Sequence, residues 1–195
     1  MTIRQRVIKA IYPLLLWARK GSAQKATAMN KSETAPLQSF YSLSATLNNG
    51  RELRFEDLKG RKVLLVNTAS DCGYTPQYAE LQTLYQQAKK NLEIIGFPAN
   101  DFKEQEKGSD EDIAKFCSIN YGVSFLLSKK ATVIKSEAQH PVYQWLTSKG
   151  QNGWNDTPPS WNFAKYLINE EGVLTNYFDP GVSPLSTEVT GAINA

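Results

Sequence analysis

The sequence predicts an α/β fold, and three observations carry that prediction. Two apolar runs, Val63 to Val66 and Leu92 to Phe97, read as strands buried on both faces. Between them Tyr78, Leu81, Tyr85 and Ala88 recur at helical spacing, so strand, helix and strand form a crossover unit with parallel strands and a right-handed connection. Two turn signals, Asn48-Asn49-Gly50 and Glu170-Glu171-Gly172, each join strand-like segments into a hairpin.

Taken in order, residues 21–37 are polar and rich in Ser, Thr, Ala and Lys, which reads as a linker. Phe40 to Leu47 is strand-like and turns at Asn48–Gly50 into Arg51 to Phe55. Asp57-Leu-Lys-Gly60 is a turn before the first buried strand. The next helix has Thr75 as N-cap and Pro76 in its first position. Pro98 to Gly108 is a long polar loop, which leaves the C-terminal sheet edge where open α/β sheets place their sites. Ser109-Asp-Glu-Asp112 resembles a capping box opening a helix that carries Cys117. Phe125 to Leu127 and Ala131 to Ile134 read as extended, Val142 to Leu146 as a short helix, and Gly150 to Pro159 as a loop. Trp161 to Ile168 and Val173 to Phe178 form the second hairpin, and Ser186 to Ile193 closes the chain as a helix. Hairpin, βαβ, then ββα is a thioredoxin-like arrangement with an added N-terminal β-hairpin.

A chain of 195 residues, 21% charged and 41% hydrophobic, suits one soluble domain with a full core. Its formal charge of +3 is unevenly placed: residues 1–35 hold seven Lys/Arg against the single acid Glu33, and the remainder has 15 Lys/Arg against 18 Asp/Glu. The mildly acidic globular part gives no sign of nucleic-acid binding. Two cysteines and one histidine are too few for a structural zinc site, and two cysteines do not make a disulfide scaffold. No cofactor is expected. His140 reads as a surface or helix-entry residue.

Residues 1–20 form a basic amphipathic leader. On a helical wheel Ile3, Val7, Ile11, Leu14, Leu15 and Ala18 share one face and Arg6, Lys9 and Lys20 lie opposite, while Arg4 intrudes and Pro13 weakens the middle. This fits an interfacial helix drawn to anionic lipid. The competing readings are a helix packed on the domain, a disordered leader, or an export signal cleaved near Ala26-Thr-Ala28. The expected division is therefore a leader and linker over 1–37 and one domain over 38–195.

Cys72 falls in the strand-to-helix loop just ahead of a helix N-terminus, where unpaired N–H groups favour an anion such as a thiolate. It reads either as a reactive thiol or as a small buried residue ending a strand. Together with Cys117 it makes either two unrelated core residues or one redox pair.

Three separated segments carry a family resemblance: Val66-Asn-Thr-Ala-Ser-Asp-Cys72-Gly-Tyr-Thr, Gly96-Phe-Pro-Ala-Asn-Asp-Phe-Lys-Glu-Gln105-Glu, and Trp161-Asn162-Phe with Lys165-Tyr-Leu. In this order they resemble the motifs of the glutathione peroxidase family over roughly residues 38–195. The resemblance implies a peroxidatic cysteine at Cys72, with Gln105, Trp161 and Asn162 completing a catalytic tetrad. Non-titrating N–H donors of these types suit a thiolate that must be held beside an O–O bond. Cys117, in Phe116-Cys-Ser-Ile-Asn-Tyr-Gly, looks like the resolving cysteine of thioredoxin-dependent members. That implies a sulfenic acid at Cys72, a Cys72–Cys117 disulfide and recycling by a thioredoxin-like reductant, with glutathione as the alternative. It also implies that the Cys117 helix shifts or unwinds to let the sulfurs meet. The short 145–161 segment favours a monomer over the tetrameric, glutathione-specific type.

Three positions depart from the family pattern. Ala99 stands where a further cysteine is usual, Lys103 replaces a glycine able to take positive φ, and Leu126 replaces a common proline. Other functional readings are a peroxide sensor sharing the same residues and a non-catalytic membrane adaptor. A dithiol oxidoreductase is disfavoured, because Cys72-Gly-Tyr-Thr75 lacks a second cysteine. The expected location is the cytoplasm, peripheral to the membrane through residues 1–20, with export as the alternative.

Overall fold

Why the chain folds as it does starts with two seven-residue strands that have no exposed position. In the computed structural model, which describes residues 2–3, 5–7, 10–12 and 27–195, Lys62–Thr68 (β4) and Leu92–Pro98 (β5) are buried along their whole length. They pair in parallel from Lys62↔Leu92 to Thr68↔Pro98. Their connection is the helix Gln77–Ala88 (α1), as the apolar spacing predicts.

Around this pair a six-stranded sheet is laid out in the order β1-β8-β7-β4-β5-β6. Its other strands are Thr27–Met29 (β1), Leu126–Leu127 (β6), Lys165–Ile168 (β7) and Leu174–Phe178 (β8). β6 is parallel to β5, whereas β7, β8 and β1 are antiparallel to their neighbours. Ser44–Thr46 (β2) and Glu52–Arg54 (β3) form a separate antiparallel pair. The remaining helices are Asp110–Tyr121 (α2), Pro141–Leu146 (α3), Lys149–Asn152 (α4) and Thr187–Asn194 (α5).

Alternation along the strands splits the core into two layers. Val63, Leu65, Ile95 and Phe97 face Phe40, Phe55, Tyr143 and Trp145 on one side. Leu64, Val66, Leu92 and Ile94 face Tyr78, Leu81, Ile113 and Val189 on the other, and both cysteines lie in this second layer. Gly96 in β5 is required by close approach, since a Cβ there would meet the Leu127 side chain at 2.7 Å.

Away from the Cys72 turn, the structure departs from the sequence reading in four places. The expected strand from Phe40 begins as a 3₁₀ turn, Phe40–Ser42, because the Ser39 hydroxyl accepts the Tyr41 N–H and the turn buries Phe40 against Phe55 and Trp145. Part of the expected linker, Thr27–Met29, is the edge strand β1, too short to show an alternating pattern. Ala131 to Ile134 is irregular, tied by the Ala131 N–H to the Pro98 carbonyl and the Val133 N–H to Asp101. The loop expected from Gly150 carries the single turn α4. His140 does enter a helix: its Nδ1 accepts the Val142 N–H at the start of α3. The expectations placed on residues 13–26, including Leu14, Leu15 and Ala18 of the leader's apolar face, lie outside the described residues.

Candidate active site

Three chain segments that are far apart in sequence meet beyond the C-terminal ends of β4 and β5. The first is the turn after β4. Here Thr75 does not cap α1, whose N-terminal residue Pro76 has no side-chain cap. Its hydroxyl instead accepts the Cys72 N–H at 2.9 Å and lies 2.8 Å and 2.9 Å from the Cys72 and Ala69 carbonyls, which closes the turn around the cysteine. Successive i→i+3 bonds, from Thr75 N–H to the Cys72 carbonyl and from Gln77 N–H to the Tyr74 carbonyl, then lead into α1.

The second segment is the loop after β5. Its Gln105 carbonyl accepts the Asp71 N–H at 3.0 Å, which fastens the two loops together. Lys103 and Glu104 both take positive φ, 52° each, so the position where glycine was expected does adopt the left-handed backbone, with a lysine bearing the strain. Ala99 is fully buried beside β4, its N–H bound to the Thr68 carbonyl.

The third segment precedes β7. Asn67, at the end of β4, holds it through two bonds: its Nδ2 donates to the Trp161 carbonyl at 3.0 Å and its Oδ1 accepts the Ala164 N–H at 3.1 Å. Phe163 between them takes φ 71°, which turns Trp161 and Asn162 back toward the cysteine.

These segments bring four of the sequence-predicted residues together. The Tyr74 N–H donates to the Cys72 Sγ at 3.4 Å, and the Trp161 and Asn162 side chains lie close enough to lower its pKa. Asn162 Nδ2 donates to Gln105 Oε1 at 3.0 Å, leaving the Gln105 amide nitrogen for whatever enters the site. The Trp161 ring rests against Phe102, at 5.4 Å between centroids, with the Lys103 ammonium 5.7 Å from its own centroid. Cys72 is only 1% exposed. Burial is the largest influence on it and raises its pKa from 9.0; the Tyr74, Trp161 and Asn162 donors and the nearby Asp71 charge are smaller influences, the donors lowering it. Desolvation thus outweighs the helix-terminus argument for a thiolate.

Cys117 sits in the third turn of α2, completely buried, and its thiol is pushed up to about 12 chiefly by burial. The Tyr78 hydroxyl faces it without a hydrogen bond of ordinary geometry. Both cysteines are free thiols. α2 is held by the Ser109–Asp112 capping box, with Asp in the place usual for Glu, and by Gly122 at φ 63° after its last turn.

Two residues that sequence reasoning did not single out complete the arrangement. One is Asn67, visible only as a polar residue ending an apolar strand. The other is Glu106, which accepts the Ser70 hydroxyl at 3.2 Å and is raised to about 7, mainly by burial. A cleft of about 810 Å³ opens beside the cysteine turn between Ser70, Asp71, Gln105, Glu106 and the Phe116 face of α2. Among the described residues no group of three or more His, Cys, Asp and Glu is placed to hold a metal ion.

A mixed α/β sheet with a donor-flanked cysteine at the turn after its first parallel strand defines a thiol redox protein of thioredoxin-like fold. The fold agrees with solved thioredoxin-like proteins such as the DsbF homologue of Corynebacterium diphtheriae, at TM-score 0.58 over 89% of this chain and 92% of that one, with 13% identity. More specifically, the glutathione peroxidase family model matches residues 40–147, and the chain belongs to that family. It is 45% identical over 148 residues to the glutathione peroxidase homolog BsaA of Halalkalibacterium halodurans, covering 75% of this chain and 93% of that protein. It is 48% identical over 141 residues to the glutathione peroxidase-like peroxiredoxin gpx1 of Schizosaccharomyces pombe, covering 71% and 87%. The apo crystal structure of Trgpx superimposes at TM-score 0.62 with 30% identity, over 82% of this chain and 97% of that one.

Proposed function

We propose that this chain is a thiol peroxidase that reduces hydrogen peroxide and organic or lipid hydroperoxides. The observation that carries the reading is the convergence of the Tyr74 N–H and the Trp161 and Asn162 side chains on the Cys72 sulfur, with Gln105 fastened to Asn162. Such donors hold a thiolate and can hydrogen-bond a leaving oxygen without changing their own charge.

The cycle starts when the Cys72 thiolate attacks one peroxide oxygen. The O–O bond breaks, Cys72 becomes a sulfenic acid, and the other oxygen leaves as water or alcohol after taking a proton. The Cys117 thiol then attacks the sulfenic sulfur and expels water, giving a Cys72–Cys117 disulfide. A thioredoxin-like dithiol reduces that disulfide by exchange and is itself oxidised; glutathione is the alternative reductant. The peroxiredoxin names of relatives in Schizosaccharomyces pombe and Saccharomyces cerevisiae support the thioredoxin-like choice. The enzyme acts as a monomer, in the cytoplasm and against a membrane surface that it meets through residues 1–20. A turnover role rather than a sensor role is the one these relatives' names favour.

Peptide mapping tests the cycle. The reduced protein receives one equivalent of hydrogen peroxide and is alkylated without reductant. A linked Cys72–Cys117 peptide is expected. A sulfenic or sulfinic Cys72 beside an alkylated Cys117 would assign resolution to an external thiol, and two unchanged thiols would end the peroxidase reading.

A further inference from the structure

The described part of the leader is helical at residues 3, 5–7 and 10–12, and it does not lie on the domain as its amphipathic pattern would suggest. A helix using a globular protein as its apolar partner buries its aliphatic stripe. Here that stripe points away. Ile3 is 83% exposed, Val7 53% and Ile11 46%, at i, i+4 and i+8 of one helical face. The opposite face does the docking, through one hydrogen bond and one buried ring. Gln5 Nε2 donates to the Ser70 carbonyl at 3.0 Å, two residues before Cys72. Tyr12 adds burial: its ring is covered near Glu80 and Gln77 of α1, although its hydroxyl finds no hydrogen-bond partner among the described residues. Thr2 and Gln5 also form one wall of the cleft that Gln105 and Phe116 line.

A polar face fastened to the cysteine turn and an apolar stripe held outward make a surface that lacks its partner. Charge selects that partner: seven Lys/Arg against one acid in residues 1–35, on a chain whose remainder is net acidic, suit an anionic surface with an apolar layer beneath it. We propose that the N-terminal helix seats the protein on anionic lipid bilayers through Ile3, Val7 and Ile11, while Gln5 and Tyr12 lock that helix to the rim of the Cys72 cleft, so that docking presents the site to hydroperoxides within the lipid. This rests on the thiol peroxidase and membrane-surface readings above. It adds which face meets the lipid and how the helix is coupled to the site.

The test uses the full chain and vesicles of phosphatidylcholine with or without phosphatidylglycerol. Flotation should carry the wild type only with the anionic vesicles. A chain with Ile3→Ser, Val7→Ser and Ile11→Ser together should bind at least roughly tenfold more weakly, its circular dichroism unchanged. Wild type that stays at the bottom of the gradient, or a triple variant that floats equally well, would overturn the proposal. So would a wild-type dimer that the triple variant dissolves without lipid, because the stripe would then belong to a second copy. With phosphatidylcholine hydroperoxide in the vesicles, the wild type should turn over several-fold faster when phosphatidylglycerol is present. Gln5→Ala should float normally and lose that gain; if it keeps the gain, the coupling to the site is wrong. Failure of soluble hydrogen peroxide turnover with thioredoxin, flotation being intact, would count against the peroxidase reading alone.

Discussion

Truncating Asn67 would strand the buried Ala164 N–H and the partly buried Trp161 carbonyl at once. An unsatisfied group costs about 1–3 kcal/mol when buried and less where water reaches it, so Asn67→Ala is expected to lower unfolding free energy by about 2–4 kcal/mol in denaturant titrations. It should also slow sulfenic acid formation, because the loop that carries Trp161 and Asn162 loses its fastening to β4. The donors around Cys72 make a second, separable prediction. Burial raises its pKa, while Tyr74, Trp161 and Asn162 each pull it down. Trp161→Phe and Asn162→Ala should therefore each move the pH midpoint of Cys72 alkylation upward, and a midpoint that stays put would remove those side chains from thiolate stabilisation. Neither the burial nor the Asn67 bonds could be read from the sequence. Gln105, Trp161 and Asn162 could be read only as parts of motifs that resemble a family, since no periodicity relates three residues held by loops. The sequence left Cys72 open between a reactive thiol and a small buried residue, because the groups that bury it come from segments 30 to 90 residues away in the chain.

Secondary elements were more legible where a single local pattern decided them. The buried runs of β4 and β5, the spacing in α1 and the capping box of α2 all state their structure within a few residues. β1 was hidden because three residues on a sheet edge have no period to show, and its identity comes from pairing with β8 at Thr27↔Phe178. Thr75 misled for a related reason: a good cap residue beside a tight turn can serve either one, and the Cys72 turn took it. The α2 cap also bears on the reaction. If Cys117 reaches Cys72 by opening α2, anything that loosens the helix start should accelerate the disulfide. Ser109→Ala removes the half of the capping box that its hydroxyl makes, leaving the backbone N–H of residue 109 on Asp112, at a cost of about 0.5–2 kcal/mol. When opening precedes the chemical step, that is about two- to thirtyfold in rate. Quench-flow of disulfide formation after a peroxide pulse reads it. A rate identical to wild type would mean that the sulfurs meet without α2 opening.

At the scale of the molecule, two buried groups among the described residues, Glu106 and Lys165, pull stability in opposite directions with pH, and neither belongs to the proposed tetrad. Glu106, packed against Ser70 near Asp71 and Lys130, has its carboxyl raised by burial from 4.5 to about 7. The folded state then binds a proton that the unfolded chain has released, so stability present below pH 4.5 is lost as pH rises through 7. Lys165, in β7 and completely buried, donates to the Pro180 and Val182 carbonyls and has its ammonium lowered by burial from 10.5 to about 7, partly offset by Glu80 and Asp179. Its sign is the reverse: stability present above 10.5 is lost as pH falls through 7. Together they predict a shallow minimum in unfolding free energy near neutral pH, each limb amounting to a few kcal/mol. His140, whose imidazole burial lowers, titrates on the acid side and works against the Glu106 limb. The cleanest measurement is therefore a difference profile from denaturant unfolding at a series of pH values, in which His140 cancels. Glu106→Gln minus wild type should gain stability progressively from pH 4.5 to 7 and then level off. Lys165→Met minus wild type should gain as pH falls from 10.5 to 7, with the apolar chain filling the same space. A flat difference for either variant would mean that its charge is already satisfied in the folded protein by the bonds it makes.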